Sequence, residues 1–207
     1  MAAKQQFRAN PAWCKFSDTL PMEDMTEQQM MDEMDFYPEM KHDLRPDTCR
    51  TVITDLVAAK AYGLQFPTAA KAIAGGFHMV APYIPGQGAH YMGPNGFGPT
   101  FDPKVPNFLL FDGNGPNAKL AGLMWLVNSG QAPPKEGYPG GNDHWHRHGI
   151  VCMVGGLILG DGISDAACAA MGGVQIDISS LWMLHAWIVP GMEYLPDVFR
   201  PHVPMLH

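Results

Sequence analysis

The fold is decided by residues 107–127, NFLLFDGNGPNAKLAGLMWLV. Two apolar runs, rich in aromatic and aliphatic side chains, flank a loop of glycine, asparagine and proline at residues 112–117. Apolar runs on both sides of such turn residues predict a β-hairpin. The hairpin therefore predicts an antiparallel sheet in the middle of the chain.

Helices are expected mainly before this hairpin and strands mainly after it. Capping residues and apolar spacing predict four helices. They begin at Thr26, at Asp47 or Thr48, at Thr68, and at Ser164 or Asp165. Gly63 is expected to end the second helix. Strands are expected at residues 77–83, 107–111, 118–127, 150–154, 174–178 and 181–189. This order predicts an α+β fold, with N-terminal helices packed on an antiparallel β-sheet or a small β-barrel.

The chain divides into an acidic, methionine-rich arm at residues 1–45 and a single α+β metal-binding domain at residues 46–207. Methionines of the arm, among them Met30 and Met34, have two interpretations. Thioethers are soft ligands that can hold Cu(I). A methionine stripe at helical spacing is also typical of an adaptable apolar face.

The composition of the chain indicates which classes of binding partner are expected. The chain has 207 residues, a formal net charge of −7 and 46% hydrophobic residues. No cluster of lysine and arginine stands out, so nucleic acid is not an expected partner. No apolar run approaches the ~20 residues of a membrane span, and the first residues lack the apolar core of a signal peptide. The composition is compatible with a small-molecule ligand and with a homo-oligomer.

Four cysteines occur, and none forms a CxxC pair that would indicate a cysteine zinc site. The even number allows two disulfides, and the simplest pairing joins Cys152 to Cys168 and Cys14 to Cys49. The alternative is four buried thiols in a cytosolic protein.

The segment His144-Trp145-His146-Arg147-His148 carries three alternating histidines. If it is extended, all three imidazoles share one face. Neighbouring rings on that face, with Cβ atoms roughly 6–7 Å apart, can chelate one ion, whereas the outer pair is too widely separated. We expect His146 and His148 to be ligands, and His144 to contact either a ligand or a substrate.

Two further histidines are candidates for the same site. His185 lies in an apolar run, with Met183 and Trp187 on its face if the run is a strand. His90 follows the glycine-rich turn at residues 86–89. Each could instead be an ordinary core or loop histidine. Taken with the histidine pair, they predict one transition-metal ion, copper first and then iron or zinc.

These motifs resemble those of a group of small bacterial proteins of uncharacterised function. The shared patterns are GxGxHY at residues 86–91, DPxxPxxLLY at 102–111, WHxHxxLC at 145–152 and WMLHxWLVPG at 182–191. The resemblance implies the same four positions, His90, His146, His148 and His185, and an exported setting. Phe111 occupies the position at which that group has tyrosine, so the resemblance implies no role for a phenol hydroxyl at this position. The histidine pair is also similar to that of cupins, but no glutamate follows at the expected distance and the second cupin motif is missing.

The first functional interpretation is a metalloprotein with a histidine-rich site for one ion in a β-rich domain. If it is an enzyme, we expect a metal-dependent oxidoreductase that activates dioxygen, with Tyr91, Trp145, Trp182 and Trp187 lining the pocket. A non-catalytic metal-binding, metal-sensing or copper-handling protein is the alternative, favoured if the ion has no open position. A zinc-dependent hydrolase is the third interpretation and needs a general base, for which Glu193 or Asp143 are the candidates.

Overall fold

The computed structural model describes residues 44–140, 145–190, 198–199, 202–203 and 206. Its helices are α1 (Pro46–Gly63), α2 (Ala69–Ala74) and α3 (Asp165–Ala170). Its strands are β1 (His78–Ile84), β2 (Gly88–Met92), β3 (Phe108–Phe111), β4 (Leu120–Asn128), β5 (His146–Arg147), β6 (Ile150–Val154), β7 (Leu157–Asp161), β8 (Val174–Asp177) and β9 (Leu181–Ala186). The predicted helix at Thr26 and nearly all of the predicted arm lie outside the described residues, so both stay predictions.

Helix α1 begins earlier than its capping residues suggested. Pro46 occupies the first turn, where its fixed φ suits a helix and its missing N–H costs no hydrogen bond. Arg45 is the N-cap and makes no side-chain capping hydrogen bond, so the prediction of a cap at Asp47 or Thr48 was wrong. Gly63 ends the helix as expected. A Cβ on Gly63 would lie 2.5 Å from Leu123 Cδ2, so this glycine lets α1 approach β4 closely.

Hydroxyl side chains cap both short helices, at Thr68, where α2 was predicted to begin, and at Ser164, which was a predicted cap of α3. The Lys71 amide donates to Thr68 Oγ1 at the start of α2, at 3.4 Å. The Ala167 amide donates to Ser164 Oγ at the start of α3, at 3.3 Å. Each bond satisfies an amide that has no partner within its own helix.

The β-hairpin predicted from residues 107–127 is present as β3 and β4, which pair antiparallel. It lies inside a six-stranded sheet with the order β1-β2-β3-β4-β9-β5. Every pairing in this sheet is antiparallel. The α+β prediction is therefore confirmed in its sheet form. The barrel alternative was wrong, because the strands in the described part of the chain do not close.

The six-stranded sheet has a hydrophobic cluster on each face. The first core contains Val52 and Leu56 of α1 together with Leu123 and Trp125 of β4, all nearly or fully inaccessible to solvent. The second core is smaller. Its buried members are Phe108, Leu110, Ala121, Met124, Leu126, Trp187, Val203 and Leu206.

A second, three-stranded antiparallel sheet has the order β7-β6-β8, and β7 packs alongside β1. A disulfide between Cys152 on β6 and Cys168 on α3 ties the short helix to this sheet, with Cα atoms 5.7 Å apart. This confirms the predicted pair. Cys49 is also disulfide-bonded, and its predicted partner Cys14 lies outside the described residues. Across the described ranges, no helix has the length and apolar character that a membrane span requires.

Candidate functional site

Cross-strand register aligns the candidate histidines on one face of the six-stranded sheet. His90 on β2 pairs with Leu110 on β3, and Leu110 pairs with Gly122 on β4. Two residues further along β4, Met124 pairs with His185 on β9. Directly paired residues and residues two apart on a strand share a face. We call this surface, which includes the second core, the histidine face.

His146 joins the same face from the edge of the sheet. It pairs with Met183 on β9, which lies two residues before His185. The alternation predicted for the segment around residue 146 is therefore partly realised, in a strand of only two residues. His148 follows this strand. His144 lies outside the described residues, so its proposed contact stays a prediction.

The four imidazole rings form a connected series. Their centroids are 6.0 Å apart between His90 and His185, 5.0 Å between His185 and His146, and 5.8 Å between His146 and His148. None of these pairs is stacked, because the interplanar angles are 57°, 68° and 83°. The structure thus brings together all four residues that the sequence predicted as ligands.

This convergence depends on a curled sheet and on side chains that lean toward each other. Strands β3 and β4 lie between β2 and β9. In a flat sheet, three strand spacings would separate His90 from His185 by roughly 14 Å. The ring centroids are only 6.0 Å apart, so a curl of the sheet toward the histidine face and the inclination of the two side chains together close this backbone separation. Curling makes this face concave and directs side chains from distant strands to one point.

A tryptophan forms one wall of the cluster, and a glycine makes room for it. The ring of Trp187 lies 5.6 Å from the ring of His185, centroid to centroid. A Cβ on Gly122 would lie 2.7 Å from the Trp187 ring and 3.0 Å from Leu110 Cδ1. Any larger residue at Gly122 would therefore displace the indole that packs against His185.

Three of the four histidines are buried in this apolar setting. Their exposed fractions are 7% for His90, 9% for His146 and 1% for His185. The side chain of His148 is 23% exposed, so solvent reaches the cluster from its side. A buried imidazole needs a polar partner to offset its desolvation.

His148 is oriented by a carboxylate from the smaller sheet. Its Nδ1 lies 2.7 Å from Oδ2 of Asp161, the last residue of β7. This hydrogen bond is the main cause that holds the pKa of Asp161 below its usual value of 3.8. When Nδ1 carries the proton, it donates to the carboxylate and leaves Nε2 as the acceptor or metal-binding atom.

His90 is kept neutral by its surroundings. Burial, with a smaller contribution from the charge of His148, lowers the pKa of His90 from 6.5 to about 4. The backbone of Gly88 opposes this shift, but among the described residues no group meets the distance and angle of a hydrogen bond to His90 Nδ1. Within the described part of the chain, a buried ring nitrogen at the His90 end of the series therefore has no hydrogen-bond partner. The sequence placed His90 at a turn, whereas the structure places it within β2.

A fifth histidine, His202, also lies near the cluster. The amide of Val203 donates to the Gly86 carbonyl at 2.7 Å, and the Gly86 amide donates to the Leu206 carbonyl at 2.8 Å. These bonds hold Val203 and Leu206 against the β1–β2 turn. His202 contacts the amide nitrogen of Gln87, and its charge lowers the pKa of both His90 and Asp161. No local pattern around residue 202 indicates this position.

Three aromatic residues predicted to line the pocket lie on the other face. Tyr91, Trp145 and Trp182 alternate away from the neighbouring histidines and belong to the first core. Of the predicted aromatic residues, Trp187 does reach the cluster. The candidate bases Asp143 and Glu193 lie outside the described residues.

The described residues contain no group of three or more His, Cys, Asp or Glu side chains that is already arranged to hold a metal ion. The four rings converge, but their donor nitrogens do not surround a common point. Comparisons with protein-family models, curated proteins and solved structures find no match to this chain.

Proposed function

We propose that the histidine face binds one transition-metal ion through His90, His146, His148 and His185. The observation that supports this proposal is the convergence of four imidazoles, from β2, β5, β9 and the residue after β5, on the concave side of a curled sheet. Imidazole is the commonest metal ligand among protein side chains.

The separations of the rings agree with a shared ion. A ring bound through one nitrogen at about 2.1 Å has its centroid about 3.2 Å from the metal, so two such rings lie roughly 4.6–6.5 Å apart. The separations of the three neighbouring pairs in the series, 5.0, 5.8 and 6.0 Å, fall within this range. Rotation of a ring about its Cβ–Cγ bond moves the nitrogens and leaves the centroid close to its place. Metal binding therefore requires the rings to rotate, and the backbone can stay where it is.

The donor set favours a metal of the later transition series. Imidazole nitrogens suit copper, iron and zinc, whereas magnesium and calcium prefer sets of oxygen ligands. Copper is the first candidate, followed by iron and zinc. The Asp161 carboxylate would act on the ring of His148, in the carboxylate–histidine–metal arrangement that fixes a ligand's tautomer.

The chemistry we propose is oxidation with dioxygen at an open position on the side of His148, where the cluster is partly exposed. The apolar wall of Trp187 and Met124 would exclude water from the remaining sides. We also propose an exported location, because the Cys152–Cys168 disulfide is stable in oxidising compartments.

The test is metal content and affinity in matched histidine variants. His185→Gln and His146→Gln keep the size of the side chain nearly constant and remove a ligand. Each should lower metal affinity by about tenfold or more, since changing even a residue that only hydrogen-bonds to a metal ligand lowers affinity 10- to 100-fold. His78→Gln is the control, because His78 is exposed at the start of β1. Metal in protein purified without added metal, and competition with a chelator at fixed pH, provide the measurements. Full occupancy and unchanged affinity in both variants would refute the proposal.

Turnover is tested separately from binding. Dioxygen consumption by the metal-loaded protein with a mild reductant should require His146 and His185. A protein that binds the metal tightly and consumes no dioxygen with a broad panel of small reductants would be a metal-binding or metal-sensing protein.

A further inference from the structure

We propose that the thioether of Met183 is a ligand of the same ion, so that the site selects Cu(I) over Zn(II). This inference rests on the proposed metal-binding function and specifies its ion. It follows from the position of one methionine between two histidines of the cluster.

Met183 is adjacent to two of the candidate ligands. It lies directly opposite His146 in the β5–β9 pair. Directly opposed residues have Cβ atoms about 4.5–5.5 Å apart. It also precedes His185 by two residues, on the same face of β9. The rings of these two histidines are the nearest pair in the cluster, with centroids 5.0 Å apart. A sulfur atom at Met183 is therefore within side-chain reach of any ion that both imidazoles hold.

Met124 is the competing candidate, and its packing argues against it. It lies opposite His185 in the β4–β9 pair, but it is 2% exposed and is a buried member of the second core. Met183 is partly buried and packs against that core from outside. An unbranched side chain in such a position can rotate to present its sulfur, whereas Met124 could do so only by disturbing its packed neighbours.

A thioether in this ligand set distinguishes between metals. Soft sulfur ligands favour Cu(I), whereas Zn(II) is served well by imidazole and carboxylate. The apolar surroundings act in the same direction. A monovalent ion loses less hydration free energy than a divalent ion when it enters a site walled by Trp187, Met124 and Leu126. Both effects predict Cu(I) as the preferred ion.

The experiment compares two metals in two methionine variants of the full chain. Met183→Leu removes the sulfur and nearly conserves volume, so folding should be little affected. Met79→Leu is the matched control, because Met79 packs against the first core on the other face. Cu(I) affinity is measured anaerobically by competition with a cuprous chelator, using a reductant too weak to open disulfides. Zn(II) affinity is measured by competition with a zinc chelator. Thermal melting checks the fold of each variant.

We expect Met183→Leu to lower Cu(I) affinity by about tenfold or more and to leave Zn(II) affinity within about twofold, since the lost ligand is soft. Met79→Leu should change neither value. X-ray absorption at the copper edge should show a sulfur neighbour in the parent protein and in Met79→Leu, and none in Met183→Leu. If Met183→Leu binds Cu(I) as tightly as the parent while the parent binds metal, the thioether inference is wrong and the histidine site stands. If the parent binds neither ion, both proposals fail together.

Discussion

Asp161 on β7 accepts a hydrogen bond from His148 over 2.7 Å, and this bond joins the smaller sheet to the histidine face of the larger one. The acid fixes the orientation of the ring, because a ring that donates from Nδ1 presents Nε2 to the cluster. His148 is the most exposed of the four candidate ligands and is followed by Gly149, so its ring depends on this partner for its direction. Asp161 is therefore a positioning residue in the proposed metal site.

Asp161→Asn should lower metal affinity by about 10- to 100-fold, the range typical for partners of metal-bound histidines. The amide keeps the size of the carboxylate but removes the charge that favours the donating tautomer of His148. Chelator competition at fixed pH is the measurement. Asp177→Asn is the control and should bind as the parent does, because Asp177 is an exposed acid on β8, which is separated from β7 by β6. Equal affinity in the parent and Asp161→Asn would show that the hydrogen bond does not prepare His148 for a metal.

Gly122→Ala should destabilise the fold by about 1–3 kcal/mol, the usual cost of overpacking. The added Cβ would lie 2.7 Å from the Trp187 ring, which cannot give way without disturbing its contact with His185. Urea unfolding measures the loss of stability. Gly115→Ala is a suitable control, since no atom lies within 4 Å of a Cβ at that position. Similar stability losses in the two variants would mean that Trp187 adapts freely, and that the second core is less tightly packed than its burial indicates.

Reduction of the Cys152–Cys168 disulfide should lower the free energy of unfolding by about 3 kcal/mol, as expected for a loop of this size. The bridge joins two residues that are 16 positions apart in the sequence, and it attaches α3 to β6. A Cys152→Ser, Cys168→Ser double variant isolates this bridge from the disulfide at Cys49, which it leaves unchanged. Urea unfolding of the parent and of the double variant, both under oxidising conditions, compares them. No difference in stability would show that the small sheet and α3 are held together by packing alone.

Much of the larger sheet could be predicted from local sequence, because its central strands β3 and β4 are runs of apolar residues. Strand β4 is buried along eight of its nine residues, and its run of branched and aromatic side chains predicts it within two residues at its start. Strands β2 and β7 were missed. Each has five residues, and glycines lie at or near their ends, so glycine signals a turn where the chain in fact pairs with its neighbours. Tertiary pairing defines these two strands, and no local pattern does.

The candidate ligands could be predicted, but their arrangement could not. Histidines that alternate or lie in apolar runs are visible in the sequence, and His146, His148 and His185 were found in this way. The curl of the sheet, which brings His90 to within 6.0 Å of His185, depends on twist and bulges summed over four strands. The contact of His148 with Asp161 joins residues 13 positions apart, and the contact of His202 with Gln87 joins residues 115 positions apart. Neither contact is indicated by a local sequence pattern.

Protonation of His90 should make the metal-free protein less stable in acid. Its pKa is about 4 in the folded chain and near 6.5 in the unfolded chain, because burial disfavours the charged ring. Between these two values the unfolded chain binds the additional proton. The stability contributed by the neutral ring is therefore fully present above pH 6.5 and is lost progressively as the pH falls to about 4. A shift of this size corresponds to about 3 kcal/mol.

The variant His90→Gln removes this titration while keeping a polar side chain of similar length. Urea unfolding in a metal chelator, at intervals from pH 7.5 to pH 4, gives the free energy of unfolding for each protein. The parent should lose about 3 kcal/mol more than His90→Gln over this range, and the control His78→Gln, altered at an exposed position, should follow the parent. Parallel curves for the parent and His90→Gln would mean that the ring of His90 accepts a proton in the folded protein as readily as in the unfolded chain. The cluster would then be open to water at His90, and the apolar enclosure on which the preference for Cu(I) partly rests would be absent.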